Sequence, residues 1–199
     1  MSTVSWRAET RGVVRSRILS AAVDELVAHG WAGLTVASVA EAAGVRRQAV
    51  YETVGTKLDL GRAVVSREAG GYLDEVQRRI RAGSHPVESL MGAVEYALTE
   101  GGRNRVLRVV LGLDGRPPEP ELLAMVTADR QPILVPALSL VRDAFAATYP
   151  AVDPGRARVA CDATVRLTLS HLFQPLKSRA EAVADIHAVV AALLGDQRP

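Results

Sequence analysis

Apolar residues recur every three or four positions along most of the chain, and this spacing predicts amphipathic helices. In residues 15–29, for example, Ile18, Ala22 and Leu26 share one face, and the Gly30 that follows is a typical residue for a helix end. The first predicted element is therefore an amphipathic helix that ends at this glycine.

Three arginines precede this helix at intervals of four residues: Arg7, Arg11 and Arg15. They would line one side of the helix if it extends toward the N-terminus. Two interpretations are open, a solvated chain end and an arm that touches DNA.

Three more helices are predicted in the first half of the chain. Thr35 precedes the next apolar run and has the side chain of an N-cap for a short helix over residues 36–43. Gly44 suits the left-handed turn after that helix, and a third helix then continues as far as Gly55. Thr56 is expected to cap a long fourth helix that ends before the sequence AGSHP.

Beyond that sequence, glycine and proline residues divide the chain into five further helical segments. Pro132 and Pro136 interrupt the third of them, which predicts a kink or a split there rather than one straight helix. The predicted segments are residues 86–100, 103–113, 119–148, 154–173 and 178–194.

The composition favours the same class of fold. Apolar residues make up 48% of the 199 residues and aromatic residues only 4%, with alanine, valine and leucine dominating over strand formers. A chain of this length can bury the core of one large domain or of two small ones. We therefore predict an all-α protein.

The charge balance and the single cysteine bear on the binding partner and the cellular compartment of the protein. The formal net charge is +2, so an argument for nucleic-acid binding has to rest on where the charges lie and not on their total. Cys161 has no partner for an internal disulfide, and no apolar run is long enough to cross a bilayer. We expect a cytoplasmic protein without a membrane segment.

Residues 36–54 contain the three residue types that a helix-turn-helix requires. The small Ala40 permits two helices to cross closely, Gly44 tolerates the positive φ of a turn, and the branched Val50 fills the space beneath the second helix. Taken alone, this pattern also fits an ordinary pair of helices in a bundle. The outward face of the second helix favours DNA, because its side chains suit base edges and phosphates: Arg47, Gln48 and Tyr51.

The segment ILSAAVDELVAHGWAGLTVASVAEAAGV, followed by Tyr51 and by GTKLDL, resembles the TetR family of bacterial transcriptional regulators. The close resemblance covers about residues 15–62, and the rest of the chain is similar only in architecture. It implies a three-helix helix-turn-helix DNA-binding domain over residues 1–56. A long helix would join this domain to an effector-binding and dimerisation domain over residues 57–199.

The predicted DNA-binding residues fall into two groups. Arg47 and Gln48 lie in the first turn of the recognition helix, so we expect them to contact base edges. The resemblance places Thr35, Tyr51 and Lys57 against phosphates. Arg46 stands where the family usually has serine or threonine and is expected to contact a phosphate or a base.

Further departures from the family pattern lie on the same helix. Thr53 and Val54 replace the usual pair of aromatic residues, so the core beneath the helix has less contact area. Glu52 would face a polyanion, which is unfavourable unless its carboxylate accepts a hydrogen bond from a cytosine amino group. These departures leave the target sequence open.

The last two predicted helices indicate a homodimer. Two separate stripes of residues 154–173 are apolar, one with Val159 and Leu167 and the other with Val165 and Leu172, whereas a surface helix of a monomer needs only one. The resemblance implies that both helices pair with those of a second subunit; the alternative is that they are buried in a monomer. The predicted interface residues are Val165, Leu169, Leu172, Val183, Ile186 and Val190.

The middle helices are expected to enclose a pocket for a small effector. Their scarcity of charged residues at inward positions favours an apolar compound. Ordinary core packing explains each of the residues that we predict to line it: Met91, Tyr96, Leu107, Leu111, Met125 and Phe145.

No motif in the sequence indicates catalysis. A nucleophile elbow, a P-loop and a dinucleotide-binding glycine pattern are all missing, and the four histidines are not spaced as a helical metal site requires. We expect no enzyme activity, metal or cofactor. The predicted function is a repressor that a small apolar effector releases from a palindromic DNA operator. The alternatives are a DNA-binding regulator controlled by a protein partner, and an enzyme or carrier that uses a helical pocket.

Overall fold

The computed structural model describes the backbone of residues 3–110, 112, 114–127 and 134–195, and side chains within residues 11–110, 112, 114–125 and 135–195. Every regular element in these ranges is an α-helix, as the sequence predicts. In chain order the helices are α1 (Thr3–Gly33), α2 (Val36–Ala42), α3 (Arg47–Thr53), α4 (Lys57–Ala82), α5 (Pro86–Gly101), α6 (Arg105–Val110), α7 (Pro120–Thr127), α8 (Leu134–Thr148), α9 (Pro154–Phe173) and α10 (Arg179–Leu194).

The predicted breaks and caps in the first half of the chain are confirmed. Gly30 interrupts α1 with φ 68° and ψ −178°, and Gly44 turns the chain between α2 and α3 with φ 64°. Thr35 caps α2 by accepting a hydrogen bond from Ser38 N–H at 3.0 Å, and Ser38 closes the capping box. Thr56 has the same role before α4, where its hydroxyl accepts from Asp59 N–H at 3.3 Å.

The second half of the chain has more and shorter helices than the apolar pattern alone indicates. Segment 103–113 is reduced to α6, and segment 119–148 is occupied by two helices, α7 and α8. Pro136 lies in the first turn of α8, where proline is tolerated, and Pro132 lies outside the described residues. The presence of α7 and α8 agrees with the predicted kink or split, which falls on residues 128–133, outside the described residues.

The fold divides into two compact units. Unit 1 comprises Met1–Glu68 and Arg108–Val126, and unit 2 comprises Ala69–Leu107 and Thr127–Pro199. By packing, the first unit therefore extends twelve residues beyond the predicted boundary at residue 56 (to residue 68) and takes in a remote segment. The functional boundary at residues 56 and 57 stays a prediction.

Unit 1 is built around the apolar faces of its first four helices. The side chains of Ile18, Leu26, Val39, Val50 and Leu60 are all fully buried. Removing each from water contributes roughly 1.5–3 kcal/mol to the stability of the fold. The helix that carries the residues predicted to contact DNA therefore packs on a buried apolar core.

Unit 2 has a separate core between α5, α8, α9 and α10. Its largest fully buried side chains include Ile80, Leu90, Phe145 and Ile186. Cys161 belongs to the same core, where burial raises the pKa of its thiol to about 12. This thiol is therefore protonated at neutral pH, as expected for a packing residue.

The predicted dimer residues lie largely inside this core. Val165 and Leu172 are 7% and 9% exposed, and Ile186 and Val190 are fully buried within one protomer, while Leu169 and Val183 are half-buried. A fully buried side chain has no surface to offer to a second subunit. Four of the six predicted interface residues therefore pack inside the protomer, and the dimer interface itself stays a prediction.

Candidate nucleic-acid interface and ligand cavity

The helix-turn-helix has the packing that its three characteristic residue types predict. Ala40 is 2% exposed where α2 crosses its neighbours, and Val45 N–H donates to Ala40 O at 3.0 Å to close the turn. Val50 is fully buried beneath α3. With Val50 inward, the opposite face of α3 is fixed toward solvent.

The solvent-facing side of α3 carries the residues predicted to contact DNA. Arg46 takes an extended N-cap conformation with φ −72° and ψ 146°. Its side chain forms no capping hydrogen bond with the first turn of α3. Tyr51 is 46% exposed, which is a large exposure for an aromatic side chain. Packing in the protein core therefore does not account for this residue. Four of these side chains are exposed together: Arg46, Arg47, Gln48 and Tyr51.

The two predicted phosphate contacts outside α3 lie at the beginnings of helices. Thr35 precedes α2 and uses its hydroxyl as the cap, and Lys57 is the first residue of α4. Thr56 N–H donates to Asp59 Oδ2 at 2.9 Å, and the hydrogen bonds from Thr56 hold the pKa of Asp59 below its usual value. The capping box thus fixes the backbone on both sides of Lys57.

Two arginines of α1 support the helix-turn-helix in a way that the sequence did not reveal. Arg17 Nη2 donates to Ala43 O at 2.5 Å, and Arg15 Nη1 donates to Thr53 O at 3.1 Å. Each guanidinium satisfies a carbonyl at the C-terminal end of a short helix, where the helix dipole is negative. Of the arginines considered for a DNA-contacting arm, Arg15 binds the C-terminal end of α3, and the side chain of Arg7 lies outside the described residues; the arm itself stays a prediction.

A remote segment of the chain also binds to the end of α1. Arg116 Nη2 donates to Val27 O at 2.6 Å and forms an ion pair with Asp114 at 2.6 Å. Glu119 Oε1 accepts a hydrogen bond from Trp31 N–H at 3.0 Å, and Glu121 accepts one from the indole Nε1–H of the same residue. Sequence reasoning missed these contacts because about 90 residues separate the partners.

Unit 2 contains an apolar cavity of about 60 Å³. One face of α5 lines it, with residues spaced three or four apart. The remaining walls come from α4, α8 and α9. The lining residues are Tyr72, Leu73, Val76, Leu90, Ala93, Val94, Ala97, Ala137, Val141, Thr164, Val165, Thr168, Leu169 and Leu172.

The few polar atoms of the cavity wall are already hydrogen-bonded within the protein. Tyr72 O–H donates to Ala97 O at 2.7 Å, and burial raises the pKa of Tyr72 well above its ordinary value. Thr164 and Thr168 donate their hydroxyl hydrogens to carbonyls of their own helix, both at 2.7 Å. A molecule in this cavity therefore meets hydrocarbon and satisfied polar groups.

The residues predicted to line an effector pocket lie elsewhere. Met91 and Phe145 are buried in the core of unit 2, Tyr96 is half-buried and packs on Tyr72 with ring centroids 5.4 Å apart, and Leu107 is half-buried on α6. Met125 lies in unit 1 and Leu111 lies outside the described residues. None of the five described residues lines the cavity, because the face of α5 that contains Leu90, Val94 and Ala97 points there instead.

Two family models match most of the chain. Residues 18–64 match the model described as bacterial regulatory proteins of the tetR family, and residues 86–192 match the C-terminal domain of the bacterial tetracyclin repressor. The chain belongs to the TetR family of bacterial transcriptional regulators. Members of this family are DNA-binding regulators and not enzymes.

Individual relatives match this TetR-family chain over most of its length. The HTH-type transcriptional regulator AlkX of Mycobacterium tuberculosis is 27% identical over 189 residues, which cover 94% of this chain and 88% of AlkX. The crystal structure of the repressor AlkX from a Dietzia strain, implicated in biodegradation of n-alkanes, matches with a TM-score of 0.71. That match has 21% identity and covers 91% of this chain and 95% of the other.

A second solved structure that this chain resembles contains a bound ligand. The regulator FadR of Bacillus subtilis, crystallised in complex with stearoyl-CoA, matches with a TM-score of 0.56 and 18% identity. The match covers 92% of this chain and 99% of FadR. At these identities the two structures establish the shared fold.

Two other kinds of site are missing from the described residues. Within the described ranges, no helix combines the length and the apolar character that crossing a membrane requires. In the same part of the chain, no three histidine, cysteine, aspartate or glutamate side chains are grouped as metal ligands.

Proposed function

We propose that this TetR-family protein is a cytoplasmic repressor that binds a pseudo-palindromic operator as a homodimer and is released by a small, largely apolar effector. The observation that carries the proposal is the exposed group Arg46, Arg47, Gln48 and Tyr51 on α3, held outward by the fully buried Val50. Such a helix inserts its first turns into the major groove and presents its flank to the phosphates.

The DNA-facing residues divide between reading and anchoring. Arg47 and Gln48 occupy the first turn of α3, and their side chains suit guanine and adenine edges respectively. Arg46, Thr35 and Lys57 lie at the starts of helices and Tyr51 lies on α3, and all four offer donors suited to phosphate oxygens; Arg46 could also reach a base. Contacts of the first kind carry sequence preference, and contacts of the second kind carry affinity that depends on salt.

The homodimer is supported by an apolar stripe that α9 leaves at the surface. Val159 on this stripe is 39% exposed and Leu167 is half-buried, although the opposite stripe of α9 is already packed in the core. Val189 on α10 is 40% exposed as well, with the small Ala188 beside it. A two-fold axis through these faces would give two recognition helices for successive major grooves, roughly 34–36 Å apart.

The chemistry of the cavity favours a hydrocarbon effector. Its lining has no charged side chain, and its hydroxyl groups are engaged with backbone carbonyls. A carboxylate or phosphate placed inside would lose its hydration without a partner, at a cost of several kcal/mol. The names of the relatives point the same way, since one is implicated in n-alkane degradation and another is complexed with an acyl-CoA.

The size of the cavity suggests how an effector acts. About 60 Å³ is far less than the roughly 300–1,000 Å³ of an ordinary ligand site, so a chain of several carbon atoms must move the lining helices apart. One of those helices, α4, continues into Lys57 and the helix-turn-helix. The effector would shift the population toward a shape with another spacing of the recognition helices, to the extent that it binds that shape better.

The test is a salt titration on a duplex that the protein selects from a random pool and on a scrambled duplex of the same composition. We expect Arg47→Ala to cost about 1–3 kcal/mol on the selected duplex and to relax preference at one base pair in each half-site. Lys57→Ala is expected to weaken binding to both duplexes. It should also lower the salt slope by about one for each phosphate that is no longer neutralised, thus by about two per dimer.

Arg103→Ala is the matched control, because it removes the same charge from a side chain that is 72% exposed in unit 2. This substitution should leave binding to both duplexes unchanged. The two roles would be reversed if Arg47→Ala lost equal affinity on both duplexes and Lys57→Ala altered the base preference. Lys57 would then read a base, and Arg47 would bind a phosphate. A wild-type protein without preference for any duplex would refute the proposal itself.

A further inference from the structure

Trp31, at the end of α1, is fixed through both its peptide group and its side chain. The residue is 6% exposed. Its backbone N–H donates to Glu119 Oε1 at 3.0 Å, and its indole Nε1–H donates to the carboxylate of Glu121. Because both donors are engaged by carboxylates of one short segment, the indole ring cannot turn without breaking a charge-assisted hydrogen bond.

The face of this ring is occupied by the ammonium group of Lys57. Lys57 Nζ lies 4.7 Å from the ring centroid, within the distance at which a cation is attracted to the electron-rich face of an indole. Among the described residues, Lys57 has this contact and no ion pair. An aromatic face holds an ammonium group without neutralising it, so its N–H groups keep their full attraction for an anion.

The backbone of α4 is shaped to the same ring. A Cβ atom at Gly61 would lie 2.7 Å from Cζ3 and 2.8 Å from Cη2 of Trp31, closer than real side chains approach. Gly61 follows Lys57 by one helical turn and therefore lies on the same face of α4. The ring thus fits into a notch at Gly61 and beneath the side chain of Lys57, and two positions of α4 depend on it.

We propose that Trp31 is a positioning residue for DNA binding, which holds the Lys57 ammonium in place for a phosphate. This inference rests on the proposed function, because it takes Lys57 as a phosphate contact. A lysine side chain has many rotamers, and a partner that orders it before binding removes part of the entropy that binding would cost. Glu119 and Glu121 contribute indirectly, because their hydrogen bonds to Trp31 orient the indole ring.

The contact can be observed directly because the chain has two lysines, Lys57 and Lys177. In protein labelled with ¹³C at lysine, the ε-protons of Lys57 should be shifted upfield by the indole ring current, and Lys177 serves as the internal reference. Trp31→Leu should return the Lys57 signal to an ordinary position. An ordinary Lys57 signal in the wild-type protein would overturn the inference.

The functional arm is a double-mutant cycle on the selected duplex. In the presence of Lys57, Trp31→Leu should weaken DNA binding about three- to tenfold and lower its salt slope. In a Lys57→Met background, the same substitution should have no further effect, because a residue that acts through Lys57 has nothing left to position. An equal loss in both backgrounds would reduce Trp31 to a packing residue and overturn the inference.

Leu34→Ala is the control for general destabilisation, since Leu34 is fully buried in unit 1 and takes no part in the interaction between Trp31 and Lys57. It should cost the same in both backgrounds. If Trp31→Leu melts below the assay temperature, Trp31→Phe replaces it; a smaller ring without an N–H donor should retain part of the upfield shift and the same dependence on Lys57. A wild-type protein that binds neither duplex would refute the proposed function, whereas equal losses in the cycle refute only the role of Trp31.

Discussion

Gln48 donates its side-chain Nε2–H to Glu52 Oε1 at 2.9 Å, across one turn of α3. Both side chains are exposed on the face that also carries Arg47 and Tyr51. The glutamine amide can donate a hydrogen bond to adenine N7 and accept one from the adenine amino group, and here one of its two N–H donors is already engaged. The same bond fixes a carboxylate among the cations that we propose to face DNA.

We predict that Glu52→Ala strengthens DNA binding. The substitution removes a negative charge that would face the phosphates, and it frees the N–H of Gln48 that Glu52 now engages. The gain should be about two- to fivefold at low salt and smaller at high salt, since exposed charges contribute roughly 0.2–1 kcal/mol and are screened. Fluorescence anisotropy on the selected and scrambled duplexes measures it, with Glu95→Ala, an exposed glutamate of α5, as the matched control.

The opposite outcome has a definite meaning. If Glu52→Ala weakens binding to the selected duplex and not to the scrambled one, the carboxylate reads a base by accepting from a cytosine amino group. Glu52 would then belong with Arg47 among the reading residues. The sign of the effect therefore decides between a repulsive and a specific role.

The proposed dimer predicts different results for an outer and an inner apolar residue. Val159→Asp places a charge on the exposed stripe of α9 and should convert a dimer to a monomer in sedimentation at micromolar concentration, with the helical signal in circular dichroism preserved. Ile186 is fully buried in the protomer, so Ile186→Asp should destabilise the fold by at least about 3 kcal/mol. Urea unfolding separates the two effects.

Leu176→Asp controls for the added charge, because Leu176 is 89% exposed in the turn after α9 and lies off the stripe. This substitution should change neither the dimer mass in sedimentation nor the urea midpoint of unfolding. A Val159→Asp variant that stays dimeric would place the interface on another surface.

The helix-turn-helix was predictable because its determinants are local. Ala40, Gly44 and Val50 lie within eleven residues, and each acts through sterics that a sequence shows directly: a close crossing, a positive φ and a buried plug. The caps at Thr35 and Thr56 are equally local, since each bonds three residues ahead. Helix boundaries and the outward face of α3 follow from these few positions.

The cavity and the proposed dimer face could not be derived in the same way. In α9 two stripes are apolar, and only the packing of α5, α8 and α10 decides that Val165 is inner and Val159 is outer. In α5, Met91 and Leu90 are neighbours in sequence but differ by about 100° around the helix. Only Leu90 lines the cavity, and a choice by residue type does not show which face of the helix does so. The contacts of Arg116 and Glu121 with α1 join segments that no local pattern relates.

Filling the cavity should uncouple the effector from DNA binding. Ala93 is 5% exposed and lines the cavity, and Ala93→Val adds two carbon atoms to it. We expect this variant to bind the selected duplex like the wild-type protein and to lose release by straight-chain alkanes. Ala147→Val, the same substitution at an exposed position of α8, is the control and should retain release.

The same assay tests the chemical class of the effector. Across a homologous series, alkanes should release the wild-type protein from DNA more effectively than the matching carboxylic acids, because no cation or open donor lines the cavity. Release by the acids alone would assign the effector to another site that contains a positive charge.

The stability of unit 2 in acid should depend on Glu75. Arg78 and Arg79 donate hydrogen bonds to its carboxylate at 2.5–2.8 Å and lower the pKa of Glu75 from 4.5 to about 2. A carboxyl group whose pKa is lower in the folded state stabilises the fold above its unfolded pKa and loses that effect as the pH falls through the folded value. Glu75→Gln should therefore reduce stability at neutral pH, and its difference from wild type should shrink between about pH 4.5 and pH 2. Urea midpoints measured across this range test it, with Glu95→Gln on α5 as the control. A difference that stays constant with pH would mean that the pKa of Glu75 is the same in the folded and the unfolded protein.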